Sequence, residues 1–200
     1  MKKYFILITI FALVLSACSS ERELDKTIFI PDEENIELPA YTEWGYNSFG
    51  ANYERGYFVV SNDIVPCKIL YRNDSLQFFL NGISSVNNQR EPMTLAFIFP
   101  FENIEIYTDL LKLHNTLIDL KSDDCVVKMI NGNDEKILEI LNGKLHFKRT
   151  QLLKIDDVPN RIIISGIFEL NFLKNDFPQS ISDGRFDLGI TSNLFYSFQN

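Results

Sequence analysis

Hydrophobic and polar residues alternate with a period of two along most of the chain after residue 41. In the longest run, residues 161–172, the even-numbered positions are almost all Ile, Leu or Phe, and the odd-numbered ones include Ser, Glu and Asn. Shorter runs occupy 76–80 and 144–148, and residues 93–99 are nearly all apolar. Because successive side chains of a strand point to opposite faces, this pattern predicts β-strands with one buried face.

Short polar dipeptides interrupt these runs and predict the turns between strands. Asn-Gly and Asp-Gly pairs accept the positive φ angles of tight hairpins. The predicted turns are Asn73-Asp74, Asn81-Gly82, Asn131-Gly132, Asn142-Gly143 and Asp183-Gly184. In the second half of the chain we therefore expect successive antiparallel strands over residues 125–130, 136–141, 144–150, 161–172 and 185–191.

One segment, residues 102–113, follows a helical period instead. Ile104, Tyr107, Leu110 and Leu111 recur at spacings that place them on one side of a helix, so one short helix is expected there. The content of 17 Phe and 8 Tyr favours strands elsewhere. Residues 41–200 are therefore expected to form a single, mainly β domain, either an antiparallel β-sandwich or a barrel-like sheet.

The N-terminus has the pattern of a lipoprotein signal peptide. Two lysines precede an apolar run at residues 4–14, which is too short to span about 30 Å of hydrocarbon. Ser16 and Ala17 then lead to Cys18, an arrangement that resembles the bacterial lipobox. We expect residues 1–17 to be cleaved and Cys18 to carry lipid such as palmitate. The alternative is an ordinary secretory signal in which the cysteine is incidental.

Residues 18–40 are polar and mainly acidic, and they contain few apolar side chains. Such a segment buries too little apolar area to offset the entropy of ordering it, so it is expected to be a flexible tether, with a short strand conceivable at 27–30. Its acidic residues are either a solvated spacer or an export signal of a surface lipoprotein. The protein is thus expected in the outer membrane, at the periplasmic face or the cell surface.

The net negative charge of the chain argues against some classes of binding partner. The formal net charge is −8, and it becomes −10 without the signal peptide, which contains two lysines and no acids. A negative chain repels nucleic acids and anionic headgroups, so no nucleic-acid partner is expected. Contact with the membrane is expected through the N-terminal lipid.

Three short motifs lie along the predicted β domain: N-S-F-G at 47–50, I-S-G-I-F at 164–168 and D-G-R-F-D at 183–187. Together they resemble uncharacterised Bacteroidota lipoproteins that share N-[ST]-F-G, I-S-G-x-F and D-G-R-F-D motifs. The resemblance implies a β-rich, secreted, lipid-anchored domain, and it carries over no assigned activity or site. The motif residues also have mechanical explanations, such as an ion pair between Arg185 and Asp187 on one strand face.

Residues that could carry nucleophilic or zinc catalysis are few, although carboxylates are plentiful. His114 and His146 belong to no H-E-x-x-H motif, and the chain contains no G-x-S-x-G and no glycine-rich phosphate loop. We therefore expect no metal and no cofactor, and we assign no catalytic residue. Cys67 and Cys125 leave one disulfide possible, although both could equally be small buried apolar side chains.

The densest group of aromatic residues lies between positions 41 and 58. Its members are Tyr41, Trp44, Tyr46, Phe49, Tyr53, Tyr57 and Phe58. We expect most of these rings, Trp44 included, to lie in the core. If a ligand site exists, exposed rings beside amide groups would form it, and the candidate platform is Trp44, Tyr46 and Asn47.

The leading functional hypothesis is a non-enzymatic, lipid-anchored envelope protein whose β domain binds a glycan or a protein. One alternative is a carboxylate-based glycan hydrolase of the envelope, and another is a purely structural envelope component. A cleft lined by two facing carboxylates would favour the hydrolase. An exposed aromatic patch without paired acids would favour binding.

Overall fold

The computed structural model describes residues 26–86 and 89–198, which form a mainly β structure. The strands are β1 (Ser48–Tyr53), β2 (Gly56–Val59), β3 (Cys67–Arg72), β4 (Ser75–Val86), β5 (Gln89–Pro100), β6 (Thr116–Asp119), β7 (Val126–Asn131), β8 (Asp134–Ile137), β9 (Glu139–Ile155), β10 (Val158–Lys174), β11 (Phe177–Ile190) and β12 (Phe195–Phe198). Two 3₁₀ helices span Tyr107–Leu113 and Ser192–Leu194. The predicted mainly β class is confirmed.

All twelve strands belong to one sheet, which is not closed into a barrel. Its order is β6-β9-β10-β11-β1-β2-β4-β5-β7-β8. Both β2 and β3 pair with the same edge of β4: β2 with residues 83–85 and β3 with residues 75–80. Every pairing is antiparallel except that of β12 with β3. The sheet bends so that its two halves face each other, which gives a β-sandwich-like domain.

Aromatic side chains fill the space between the two halves. The ring of Phe78 on β4 lies 5.4 Å from that of Phe147 on β9 and 5.2 Å from that of Phe186 on β11. Phe97 on β5 meets Phe168 on β10 at 5.6 Å. Each such ring stabilises the fold by about 1.5–3 kcal/mol when removed from water. The alternation read from the sequence therefore reflects one core-facing side of each strand.

Two of the five predicted turns are confirmed and three are wrong. Asn73-Asp74 joins β3 to β4, and Asn131-Gly132 joins β7 to β8. The other three dipeptides lie inside β4, β9 and β11, so the strands there are longer than expected. Their glycines serve close packing: a Cβ on Gly82 would lie 2.2 Å from the carbonyl oxygen of Val59.

The dipeptide Asp183-Gly184 forms a β-bulge rather than a hairpin. Asp183 has a φ of 52°, and the register of β11 shifts by one residue against both β1 and β10 at this point. A Cβ on Gly184 would lie 2.4 Å from the carbonyl oxygen of Phe168, so glycine is required for space. The turn between β10 and β11 is instead Asn175-Asp176, both at positive φ. An extra residue bends a strand and re-aims the side chains that follow.

The helix expected at residues 102–113 is present over a shorter span, as the 3₁₀ helix Tyr107–Leu113. Leu110 and Leu113 are fully buried and join the core. The carboxylate of Asp109 accepts the main-chain N–H groups of Glu105 and Ile106, which fixes where the helix begins. None of the helices in the described part of the chain is long and apolar enough to cross a membrane.

The described part of the expected tether, residues 26–40, is folded against the domain. Leu38 is fully buried, and the N–H of Ala40 donates to the carbonyl of Ile30 at 2.7 Å. Asp32 forms an ion pair of 2.5 Å with Arg185 on β11. The buried Leu38 and this ion pair therefore hold residues 26–40 against the domain, although their composition predicted a flexible tether. Residues 18–25 of that tether, and the signal peptide, lie outside the described residues.

Candidate ligand site at the Trp44 loop

The segment 41–47 crosses the outer face of β10 and β11 before the chain enters β1. Phe186 points into the core, so the next residue of β11, Asp187, points outward. Its partner across the β10–β11 ladder is Ser165. The crossing segment covers both side chains, which are 1% and 0% exposed, respectively. We call residues 41–47 the Trp44 loop.

A carboxylate holds the main chain of the Trp44 loop in place. Oδ1 of Asp187 accepts the N–H of Gly45 at 2.7 Å, and Oδ2 accepts those of Trp44 and Tyr46 at 3.0 and 3.2 Å. Two hydroxyls complete the set, from Thr42 at 2.5 Å and from Ser165 at 3.1 Å. Hydrogen bonds to an ionised acceptor contribute roughly 1.5–3 kcal/mol each, about twice the neutral value. The loop is therefore a fixed structure rather than a mobile connection.

Two residues with positive φ give the Trp44 loop its tight course. Gly45 has a φ of 76°, which exposes its N–H to Asp187. Asn47 has a φ of 54°, and its Oδ1 accepts the N–H of Gly189 at 2.9 Å. Glycine and asparagine are the residues that tolerate this conformation most readily. The loop is thus tied to β11 at two points.

At the top of the loop, the side chain of Trp44 projects into solvent and is 71% exposed. It borders a cavity of about 330 Å³, which we call the Trp44 pocket, lined by Tyr41, Thr42, Glu43, Trp44, Arg149 and Gln151. Arg149 forms an ion pair of 2.7 Å with Glu43, and Gln151 donates to the main-chain carbonyl of Glu43 at 3.0 Å. A flat ring thus lies beside a cation and an amide whose positions are fixed.

The charges of the Trp44 pocket are set by neighbouring groups. A hydrogen bond from Arg149, helped by one from Tyr41, lowers the pKa of Glu43. Burial, together with the hydrogen bond to Glu43, raises the pKa of the Tyr41 phenol. At neutral pH the pocket therefore contains an ionised carboxylate, a guanidinium and a neutral phenol. The Nζ of Lys148 lies 5.0 Å from the centre of the Tyr41 ring.

The three residues of the predicted platform have different positions. Trp44 is at the surface, so the expectation that it belongs to the core was wrong. Tyr46 is half-buried, and its main chain binds Asp187 and Ile28. Asn47 is 4% exposed, and its amide is engaged with the backbone of Gly189. The structure therefore brings Trp44 to a site and uses the other two to build the loop below it.

Sequence reasoning missed the polar partners of Trp44. Arg149 and Gln151 are on β9, more than 100 residues from Glu43, and they have no local motif around them. The ion pair expected between Arg185 and Asp187 is also wrong, because Arg185 binds Asp32 and Asp187 binds the loop. A strand pattern indicates which face a side chain occupies but not which distant segment covers that face.

The other residues considered in the sequence analysis, two histidines and two cysteines, lie in contacts that support the fold. His114 accepts the N–H of Thr150 through Nδ1 at 3.2 Å, and His146 lies 3.3 Å from the Oδ1 of Asn115. Cys67 and Cys125 are free thiols, and burial raises the pKa of Cys67. Among residues 26–86 and 89–198, no group of three or more His, Cys, Asp or Glu side chains is placed to hold a metal ion.

A second opening of about 240 Å³ lies at one end of the sandwich, with Glu54 and Glu91 in its lining. Lys174 donates to the hydroxyl of Tyr53 there at 3.0 Å. Glu54 accepts the main-chain N–H of Ser180 at 2.7 Å, so this carboxylate is part of the backbone structure.

Comparison with known proteins adds no functional information: no protein-family model, no curated protein and no solved structure matches the chain.

Replacing Asp187 with alanine should lower the free energy of unfolding by about 3 kcal/mol or more, because three main-chain N–H groups lose their acceptor under the loop. Denaturant unfolding of the variant and the parent measures the difference. Glu169→Gln is the matched control, since it removes an exposed acid from the neighbouring strand and should change stability by less than about 0.5 kcal/mol. Equal losses in the two variants would contradict the role given to Asp187.

Proposed function

We propose that this protein is a lipid-anchored envelope lipoprotein whose β domain binds a glycan at the Trp44 pocket. One observation carries the binding function: Trp44 is 71% exposed, while its main chain is fixed by a buried carboxylate. A large apolar ring gains no stability from such a position. A rigid segment that displays an indole to solvent is typical of a recognition surface.

The neighbours of Trp44 favour a sugar as the ligand. A sugar has apolar C–H faces that pack on flat rings and hydroxyl groups that need donors and acceptors. The Trp44 pocket offers the indole, the phenol of Tyr41 and the charged groups of Glu43 and Arg149. These polar groups are already bound to one another, so little conformational entropy is lost when a ligand binds.

The geometry of the Trp44 pocket supports binding better than hydrolysis. Two-carboxylate hydrolysis needs an acid and a base or nucleophile roughly 5–9 Å apart across the ligand. The Trp44 pocket contains one carboxylate, Glu43, which is paired with Arg149. In the second opening, Glu54 accepts the main-chain N–H of Ser180. Glu54 and Glu91 are therefore not a pair of free carboxylates in that lining. A purely structural role would not require an exposed indole.

The lipid anchor rests on the N-terminal sequence. The basic start, the short apolar run and the small residues before Cys18 together support cleavage and lipidation. Lipidation would hold the domain at the outer membrane, on either its periplasmic or its external face. The Trp44 pocket, which is open to solvent, would then be available to ligands near the membrane surface.

Trp44→Ala should abolish glycan binding without destabilising the fold. On a glycan array the signal should fall at least about tenfold, the effect of about 1.4 kcal/mol of lost packing. The thermal midpoint should stay close to that of the parent, because the side chain is exposed. Phe177→Ala is the control, since Phe177 is equally exposed, at 72%, but far along β11 from the loop.

Three results would contradict this account of Trp44. The first is array binding that survives in Trp44→Ala, and the second is an equal loss of binding in Phe177→Ala. The third is release of new reducing ends from bound oligosaccharides, which would identify a hydrolase.

Cys18→Ser should release the protein from the membrane fraction, because the thiol that carries the lipid is lost. Labelling cells with a radioactive fatty acid should mark the parent and leave the variant unlabelled. Cys125→Ser is the control, since that thiol belongs to the folded domain. If the parent takes up no label, or if both proteins stay equally membrane-bound, the anchor is not at Cys18.

A further inference from the structure

A second groove adjoins the Trp44 pocket on the outer face of β9, β10 and β11. Its volume is about 620 Å³, and its lining includes Tyr41, Leu117, Lys144, His146, Lys148 and Ile167. Tyr41 lines both cavities, so the groove and the Trp44 pocket adjoin at this residue. A chain-like ligand seated against Trp44 would continue over Tyr41 into this groove.

A bulge in β9 brings two consecutive cations, Lys148 and Arg149, to the outer face of the sheet. The register between β9 and β10 shifts after Phe147, so that Lys148 is an extra residue before Arg149. Lys148 lines the groove, and Arg149 lines the Trp44 pocket. Consecutive residues of a regular strand would point to opposite faces of the sheet. Here both point outward, and they are exposed.

Two of the cations that line the groove, Lys144 and Lys148, form no ion pair among the described residues. Within the described residues, no carboxylate oxygen lies within 4.0 Å of the Nζ of Lys144 or Lys148. The neighbouring arginines differ, because Arg149 is paired with Glu43 and Arg185 with Asp32. The lining also contains Glu169 and Asp183, so the position of each lysine relative to these acids decides where the groove attracts an anion.

The acids of the groove lie toward its far end. Glu169 is opposite Lys144 in the β9–β10 register, and Asp183 accepts a hydrogen bond from Asn52 at 2.8 Å. The acid that interacts with Lys148, at the end near Tyr41, is Glu43 of the Trp44 pocket, and this carboxylate is already paired with Arg149 at 2.7 Å. Lys148, rather than Lys144, is therefore the lysine available to an anion, at the end of the groove next to the Trp44 pocket.

Apolar side chains form the floor between the cations. Leu117 on β6 and Ile167 on β10 flank His146 in the register, and they are 58% and 41% exposed. Exposed aliphatic residues on both sides of a polar one provide a surface for the C–H face of a ring. Charge and apolar area thus occur together, as an acidic sugar requires.

From this arrangement we infer that the ligand is an acidic glycan, carboxylated or sulfated. One sugar would pack on Trp44, and the anionic group of the next would bind Lys148 beyond Tyr41. Charge-assisted hydrogen bonds to a carboxylate or a sulfate are among the stronger polar contacts. This inference rests on the proposed glycan-binding function and specifies its ligand class.

The test measures binding of the full-length chain, purified in detergent, to an array of neutral and acidic oligosaccharides. Each carboxylated oligosaccharide is also present as its methyl ester, and each sulfated one in desulfated form, so that the two sources of charge are separated. We expect the strongest binding to acidic members, and we expect esterification or desulfation to weaken it. Lys148→Gln should lower binding to acidic members about tenfold and leave neutral members nearly unchanged.

Two further variants distinguish the possible failures. Lys154→Gln removes an exposed lysine of β9 outside the groove and should leave all binding intact. Binding to neutral glycans alone, or equal effects of Lys148→Gln and Lys154→Gln, would overturn the acidic ligand while leaving glycan binding in place. If Trp44→Ala loses no binding, or no glycan is bound at all, the proposed function itself fails, and this inference with it.

Discussion

Asp187 carries a carboxylate that is nearly inaccessible to water and is surrounded by donors from three main-chain N–H groups and two hydroxyls. A buried charge is costly unless hydrogen bonds compensate it, and here the compensation comes mostly from one short segment. The segment and the carboxylate therefore depend on each other. Without the loop Asp187 would be exposed on a sheet face, and without Asp187 the loop would lack its acceptor.

This mutual dependence follows from the alternation of β11. Phe186 packs into the core against Phe78 and Phe147, which fixes the strand and directs Asp187 to the other face. The N-S-F-G, I-S-G-I-F and D-G-R-F-D motifs meet at this point, since Asn47, Ser165 and Asp187 all take part in holding the loop. Their function in this chain is thus mechanical. Ligand recognition is proposed for residues outside those motifs, Trp44 and Lys148.

The parts of the fold that could be predicted are those set by local periodicity. The long run at 161–172 has one apolar face, and it became the central part of β10. Glycine-containing dipeptides were misread in β4, β9 and β11, because a glycine needed for close packing looks the same in sequence as one needed for a turn. The acidic segment at residues 26–40 was misread because its composition conceals one buried leucine, Leu38.

The candidate site was less predictable for a physical reason. Its contacts join residues 42–46 to Asp187 and Glu43 to Arg149, pairs that are more than 100 positions apart. Trp44 was expected in the core because large rings usually contribute to burial, and its exposure depends on the course of the loop beneath it. A local sequence pattern indicates neither which distant residues contact each other nor whether the Trp44 ring is exposed.

Amide hydrogen exchange of the Trp44 loop tests the central claim most directly. If the carboxylate of Asp187 fixes the loop, the N–H groups of Trp44, Gly45 and Tyr46 should exchange at least about 10³-fold more slowly than in an unfolded chain, like amides of the strands. The main-chain N–H of Asn62, an exposed residue in a turn, provides the reference within the same spectrum. Exchange of the three loop amides at the rate of Asn62 would contradict the account.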